Sequence, residues 1–154
     1  MPTEIELRSE VLFPSIVYYY DLPSYLKTVT AVANEYLKKV HDSQQDQEAK
    51  FMNAMSDHFA HDERLAEFTQ ELSEVCYHIL ENAGCNMEIF RTVFTAMWAQ
   101  EHNFHSNVEH HVHGFGDQLV GFYCLDAPEN GSRLIFHDPR PGKVQINLPA
   151  RDHK

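Results

Sequence analysis

At Gly84 the spacing of apolar residues changes, and this switch limits the chain to a helical first part and an extended second part. Before it, Leu26, Val29, Val32, Ala33, Tyr36, Leu37 and Val40 recur every three or four positions behind Pro23 and Ser24, with Ser24 expected as the N-cap. Leu65, Phe68, Thr69, Leu72, Val75, Cys76, Ile79 and Leu80 repeat the pattern over residues 62–83, and Gly84 supplies the stop. After it, β-branched and aromatic residues alternate with others in four stretches, 87–99, 119–126, 133–138 and 144–149, each expected as a strand. Asn130-Gly131 is the strongest short hairpin signal, and residues 139–143 (PRPGK) read as a turn. Residues 10–21 read as an edge strand kinked at Pro14, and residues 41–50 as a polar loop. The expected class is α+β, with helices packed on one side of an antiparallel sheet.

A length of 154 residues suits a single domain spanning 1–154, with one N-terminal strand and two helices in 1–85. Lys and Arg total 12 against 23 Asp and Glu, a net charge of -11. Such a surface repels phosphate backbones and anionic lipid, so neither nucleic acid nor membrane is an expected partner. No apolar run reaches the roughly 18 residues of a membrane span. The opening MPTEIELRSE lacks the basic and apolar blocks of a secretory signal. Three cysteines, Cys76, Cys85 and Cys124, form no CxxC and no even framework, which fits reduced thiols in a cytoplasm. Cys124 is expected as a small core residue of its strand.

Histidine is the unusual component. Of 11 in the chain, His102, His105, His110, His111 and His113 fall within twelve residues. His102 and His105 share no clear face with the others and read as surface residues. His111 and His113 are different, because residues i and i+2 of an extended segment project to the same side, with Cα atoms roughly 6.5–7 Å apart. Two imidazoles so placed can reach a common ion at about 2.1 Å each. Gly114 and Gly116 leave room for a ligand beside it, and Asp117 offers a carboxylate. His110 points away from the pair unless a bulge intervenes. An HxH pair on its own has low specificity, since many strands carry one without metal.

The surrounding residues add to it. HVH at 111–113, LVGFYCL at 119–125, Pro128, Asn130-Gly131, LIF at 134–136 and Asp138-Pro139-Arg140 follow one another in order. This succession resembles a family of 2-oxoglutarate/iron oxygenases of phages and marine bacteria. VLFPSIVYYYDL resembles the family's opening strand, and the stretch around Trp98 stands where the family has a W-x-N strand. The resemblance runs from about Val11 to Arg140. It implies a double-stranded β-helix (jelly roll), of which residues 86–154 would form the front half. Iron would be held there by two histidines and usually a carboxylate, with open positions for 2-oxoglutarate and O₂. The resemblance implies Fe(II) and 2-oxoglutarate as cofactors and hydroxylation of a C–H bond in a small molecule or a protein side chain. On it, His111 is the first metal ligand, His113 stands where the commoner motif has its carboxylate, and Asp117 is the fallback acid. Tyr123 and Arg140 are the positions for cofactor contacts, although Asp138 and Arg140 more readily form a buried pair within a turn. The host cytoplasm is the implied location if the chain is phage-encoded.

The sequence departs from the family after Arg140. Neither the distal histidine nor the arginine that grips 2-oxoglutarate has a match, so an incomplete barrel is expected, with exposed edges that favour a homodimer. A cupin is the nearest alternative: His111, His113, Asp117 and Gly121 resemble its first motif, but residues 143–149 hold no second histidine. A barrel kept as an assembly or binding module without turnover is the third. A serine hydrolase has no supporting elbow motif.

Overall fold

The computed structural model describes residues 15–43, 53–104, 106–114, 116–131 and 133–137. Contacts divide the chain into two units, Met1–Asp21 with Arg133–Lys154, and Leu22–Ser132. In the first unit the described residues, 15–21 and 133–137, form neither helix nor strand. The strands expected at 10–21 and 133–138 are therefore not formed over those parts. The strand expected at 144–149 and the turn at 139–143 lie outside the described residues.

The second unit holds the elements. A 3-10 turn at Pro23–Tyr25 leads into helix α1, Leu26–Ser43. Ser24 falls inside that turn instead of capping the helix, because Pro23 at its first position already fixes the backbone for helical winding. The apolar stripe works as its spacing predicts: Val29, Val32, Ala33 and Leu37 are buried, and Tyr36 and Val40 pack against them. Residues 41–43 of the expected polar loop are helical, since α1 continues through Ser43, and residues 44–50 lie outside the described residues.

Helix α2, Ala66–Asn82, is preceded by a second 3-10 turn, Glu63–Leu65, capped by Asp62, whose carboxylate accepts from the Arg64 N–H at 3.1 Å. The helix ends in a Schellman motif. Gly84 has φ +90°, its N–H donates to the Glu81 carbonyl, and the Cys85 N–H donates to Leu80. Leu65 and Phe68 are buried and Leu72 packs on the same core, whereas Val75, Cys76, Ile79 and Leu80 are only half-buried. Strands β1, Ala54–Met55, and β2, Gln100–Glu101, pair antiparallel with Ala54 opposite Glu101 and Met55 opposite Gln100. The pairing continues past their ends: the Ser56 N–H donates to Ala99 at 2.9 Å and the Phe59 N–H to Met97 at 2.9 Å. Asp57 and His58 together oppose Trp98, which makes this a bulge.

The core gathers α1, the start of α2 and this ladder. Val32, Ala33 and Leu65 are almost wholly enclosed, and Phe59, Phe68, Ala54 and Ala99 join them. Tyr25 and Tyr123 both lean on Phe68, with ring centres at 5.5 and 5.1 Å. The Tyr123 hydroxyl donates to the Leu22 carbonyl at 2.7 Å.

The jelly roll is not what the described residues build. They contain two α-helices and a single two-stranded antiparallel sheet, and residues 86–137 supply only the one strand β2 to it. Residues 87–89 are a turn, and the rest of 87–99 is extended, joined to the ladder only near its end. Residues 119–126 form neither helix nor strand and pair with no strand among the described residues. Alternation is present there: Tyr123 and Leu125 pack inward while Phe122 and Cys124 stay exposed. Cys124 is thus on the opposite face from the one expected, one register step from the core. Alternating side chains specify which face meets the helices, and they do not by themselves supply a hydrogen-bonding partner.

Candidate metal centre

His111 and His113 lie on a segment, 106–114, that belongs to no helix or strand. Both side chains are exposed, and their ring centres are 5.4 Å apart with planes at 49°. Two imidazoles ligating one ion at about 2.1 Å, with ligand angles between roughly 90 and 110°, put their ring centres about 4.6–5.3 Å apart. The observed spacing lies just outside that range. His111 Nδ1 is 2.8 Å from the Glu109 carbonyl oxygen. A carbonyl only accepts, so Nδ1 carries a proton, and the nitrogen left for a metal is Nε2, the arrangement common to metal-ligating histidines. Paired imidazoles at this separation are the kind of donor set a transition-metal ion takes.

The third ligand is not assembled. Asp117 accepts a hydrogen bond from the Thr95 hydroxyl at 3.1 Å, and among the described residues no three His, Cys, Asp or Glu side chains converge on a common point. Tyr123 is directed into the core, with its hydroxyl given to Leu22. Arg140 and Asp138 lie outside the described residues, as does His105.

What sequence reading did not find is the platform beneath the pair. The indole of Trp98 stacks on the His113 ring at 6.2 Å, with planes 26° apart, and the His58 ring meets Trp98 edge-on at 5.7 Å. His58 reaches Trp98 because the bulge turns it there. The same ladder holds the segment at a second and third place, through Thr95 to Asp117 and through Asn53 Nδ2 to the Asn107 carbonyl at 2.9 Å. Nothing in the spacing of His58, Thr95 and Trp98 marks them, since a bulge and two long-range contacts bring them together.

Beside this platform is a cavity of about 240 Å³, lined among others by Tyr36, His58, His61, Asp62 and Thr95. It shares His58 and Thr95 with the surroundings of the pair. A larger cavity of about 490 Å³ runs along α2 between Glu67, Glu71, Glu74 and His78, and has no residue in common with it. At Asp62 the Arg64 guanidinium, helped by the Arg64 N–H and the Tyr36 side chain, lowers the carboxyl to about 2. Arg64 also binds both Glu35 oxygens, at 2.9 and 2.8 Å, so its charge is spent within the wall. No described helix is long and apolar enough to cross a membrane. No protein-family model, no curated protein and no solved structure matches the chain.

Proposed function

We propose that His111 and His113 hold a divalent transition-metal ion, and that the chain serves a 2-oxoglutarate- and Fe(II)-dependent hydroxylation. The observation that carries this reading is the paired imidazoles, 5.4 Å apart, with His111 Nδ1 tied to the Glu109 carbonyl. The order of motifs from residue 111 to 140 supports iron and 2-oxoglutarate over other metals and co-substrates. Fe(II), when bound with 2-oxoglutarate and O₂, would supply the oxidising power for C–H hydroxylation. The chain's own contribution is to present two imidazoles close together on one segment. The neighbouring cavity, about 240 Å³, suits a small metabolite or one protein side chain better than a large ligand. Asp117 becomes a ligand in this reading only by leaving Thr95.

A second reading, metal binding without turnover, is favoured by Asp117, whose carboxylate is engaged by Thr95. One series of measurements separates them. Calorimetric titration with Co(II) and Zn(II) is expected to give binding at least about tenfold tighter for the native chain than for His111→Ala/His113→Ala. Equal binding overturns both readings. Succinate formation from 2-oxoglutarate under Fe(II) and O₂, lost in the double variant, then selects the enzyme; metal binding without succinate selects the second reading.

A further inference from the structure

An exposed histidine on an unpaired segment ordinarily samples several rotamers, and a metal site built on it would have to order the ring each time an ion binds. His113 is not in that situation. Its ring lies nearly parallel to Trp98, and Trp98 is itself fixed. The indole is half-buried between Met97 and Ala99, whose carbonyls accept the Phe59 and Ser56 N–H groups across the bulge. His58, carried by the same bulge, closes on its edge. The Thr95–Asp117 and Asn53–Asn107 hydrogen bonds hold the metal-bearing segment to the same strip on either side of the pair. Three separate contacts thus lead from residues 107–117 to one ladder, and the aromatic one falls on a ligand.

We propose that Trp98 is a positioning residue, a flat platform that sets the His113 imidazole before metal arrives. This rests on the metal-binding reading above and specifies how the site is held. An aromatic stack contributes beyond its contact area, and holding one ligand ring in place removes part of the ordering cost of coordination.

The chain has a single tryptophan, so indole signals report Trp98 and its two ring neighbours, His113 and His58. The experiment compares the full-length native chain with Trp98→Leu, which keeps apolar bulk without a plane, and Trp98→Phe, which restores one. In Co(II) titrations, Trp98→Leu is expected to bind about three- to tenfold more weakly and Trp98→Phe within about twofold of native. In the metal-free chain, the His113 ring protons are expected to show an upfield ring-current shift that Trp98→Leu abolishes and Trp98→Phe partly keeps. The melting temperatures of the two variants identify any loss due to unfolding, which would lower both metal affinity and stability. Native affinity in Trp98→Leu overturns the inference, as does an equal loss in Trp98→Leu and Trp98→Phe, or no ring-current shift in the native chain. Absence of Co(II) binding by the native chain is a different result: it overturns the metal-binding reading itself, and the positioning role with it.

Discussion

Asp62 carries two tasks in one carboxylate. It caps the turn before α2 and accepts two side-chain hydrogen bonds from Arg64, at 2.9 and 2.8 Å. With Arg64 beside it, the folded carboxyl titrates at about 2 instead of its ordinary 3.8, so the folded chain binds this proton less readily than the unfolded chain does. The resulting stabilisation is whole above pH of about 4 and fades as pH falls toward about 2. Melting temperatures over this range should therefore show a gap between native and Asp62→Asn at neutral pH that closes in acid. Asparagine keeps an acceptor for the cap, which isolates the charge. At the same scale, Ser56 is buried and its hydroxyl accepts the Ala99 N–H at 2.9 Å. Ser56→Ala leaves that buried donor without its partner and should cost about 1–3 kcal/mol in urea unfolding. Single residues were unevenly legible in the sequence. The His111–His113 adjacency follows from spacing along any extended segment, whereas the contact of Trp98 with His113 depends on where a bulge lies, which no local pattern encodes.

At the level of elements, the helices were readable because a stripe every three or four residues has only one geometry that buries it. Both formed within a few residues of the expected bounds, and Gly84 ended α2 as its position foretold. A Cβ at Gly84 would meet no atom within 4 Å, so Gly84→Ala tests backbone conformation alone. Forcing an L-residue to φ +90° should destabilise by about 1–2 kcal/mol, seen as a lower urea midpoint with unchanged slope. The strands were over-read. Alternation in residues 119–126 correctly separates an inner from an outer face, yet a strand also needs a partner at hydrogen-bonding distance, and the described residues provide one only to 97–101. The jelly roll was implied by the order of motifs in the resemblance, and motif order does not say which segments pair.

For the molecule as a whole, apolar exposure and charge oppose each other. Ile89, Phe90, Val93, Val112, Val120 and Phe122 are all more than half exposed in the second unit, while the chain carries a net charge of -11. Apolar exposure favours association and like charge resists it, and salt screens only the second. Sedimentation velocity should accordingly detect self-association that grows with ionic strength and weakens in Phe122→Glu. The opposing charge was visible in composition; the amount of uncovered apolar surface was not, because it depends on ladders that the alternation only suggested.

The hydrogen bond from Tyr123 to Leu22 spans 101 positions of sequence. Leu22 stands just ahead of the first helix, and the phenol that secures it is made long after that helix has been translated. At ribosomal speeds of about 5–20 residues per second, Leu22 waits on the order of 5–20 seconds, and Phe68 at the start of α2 about 3–11 seconds, before Tyr123 is made. During that interval the faces of Phe68 and Tyr25 that Tyr123 will cover are open to chaperones, and slowing translation between residues 84 and 123 should lengthen the interval in which a nascent chain can be captured.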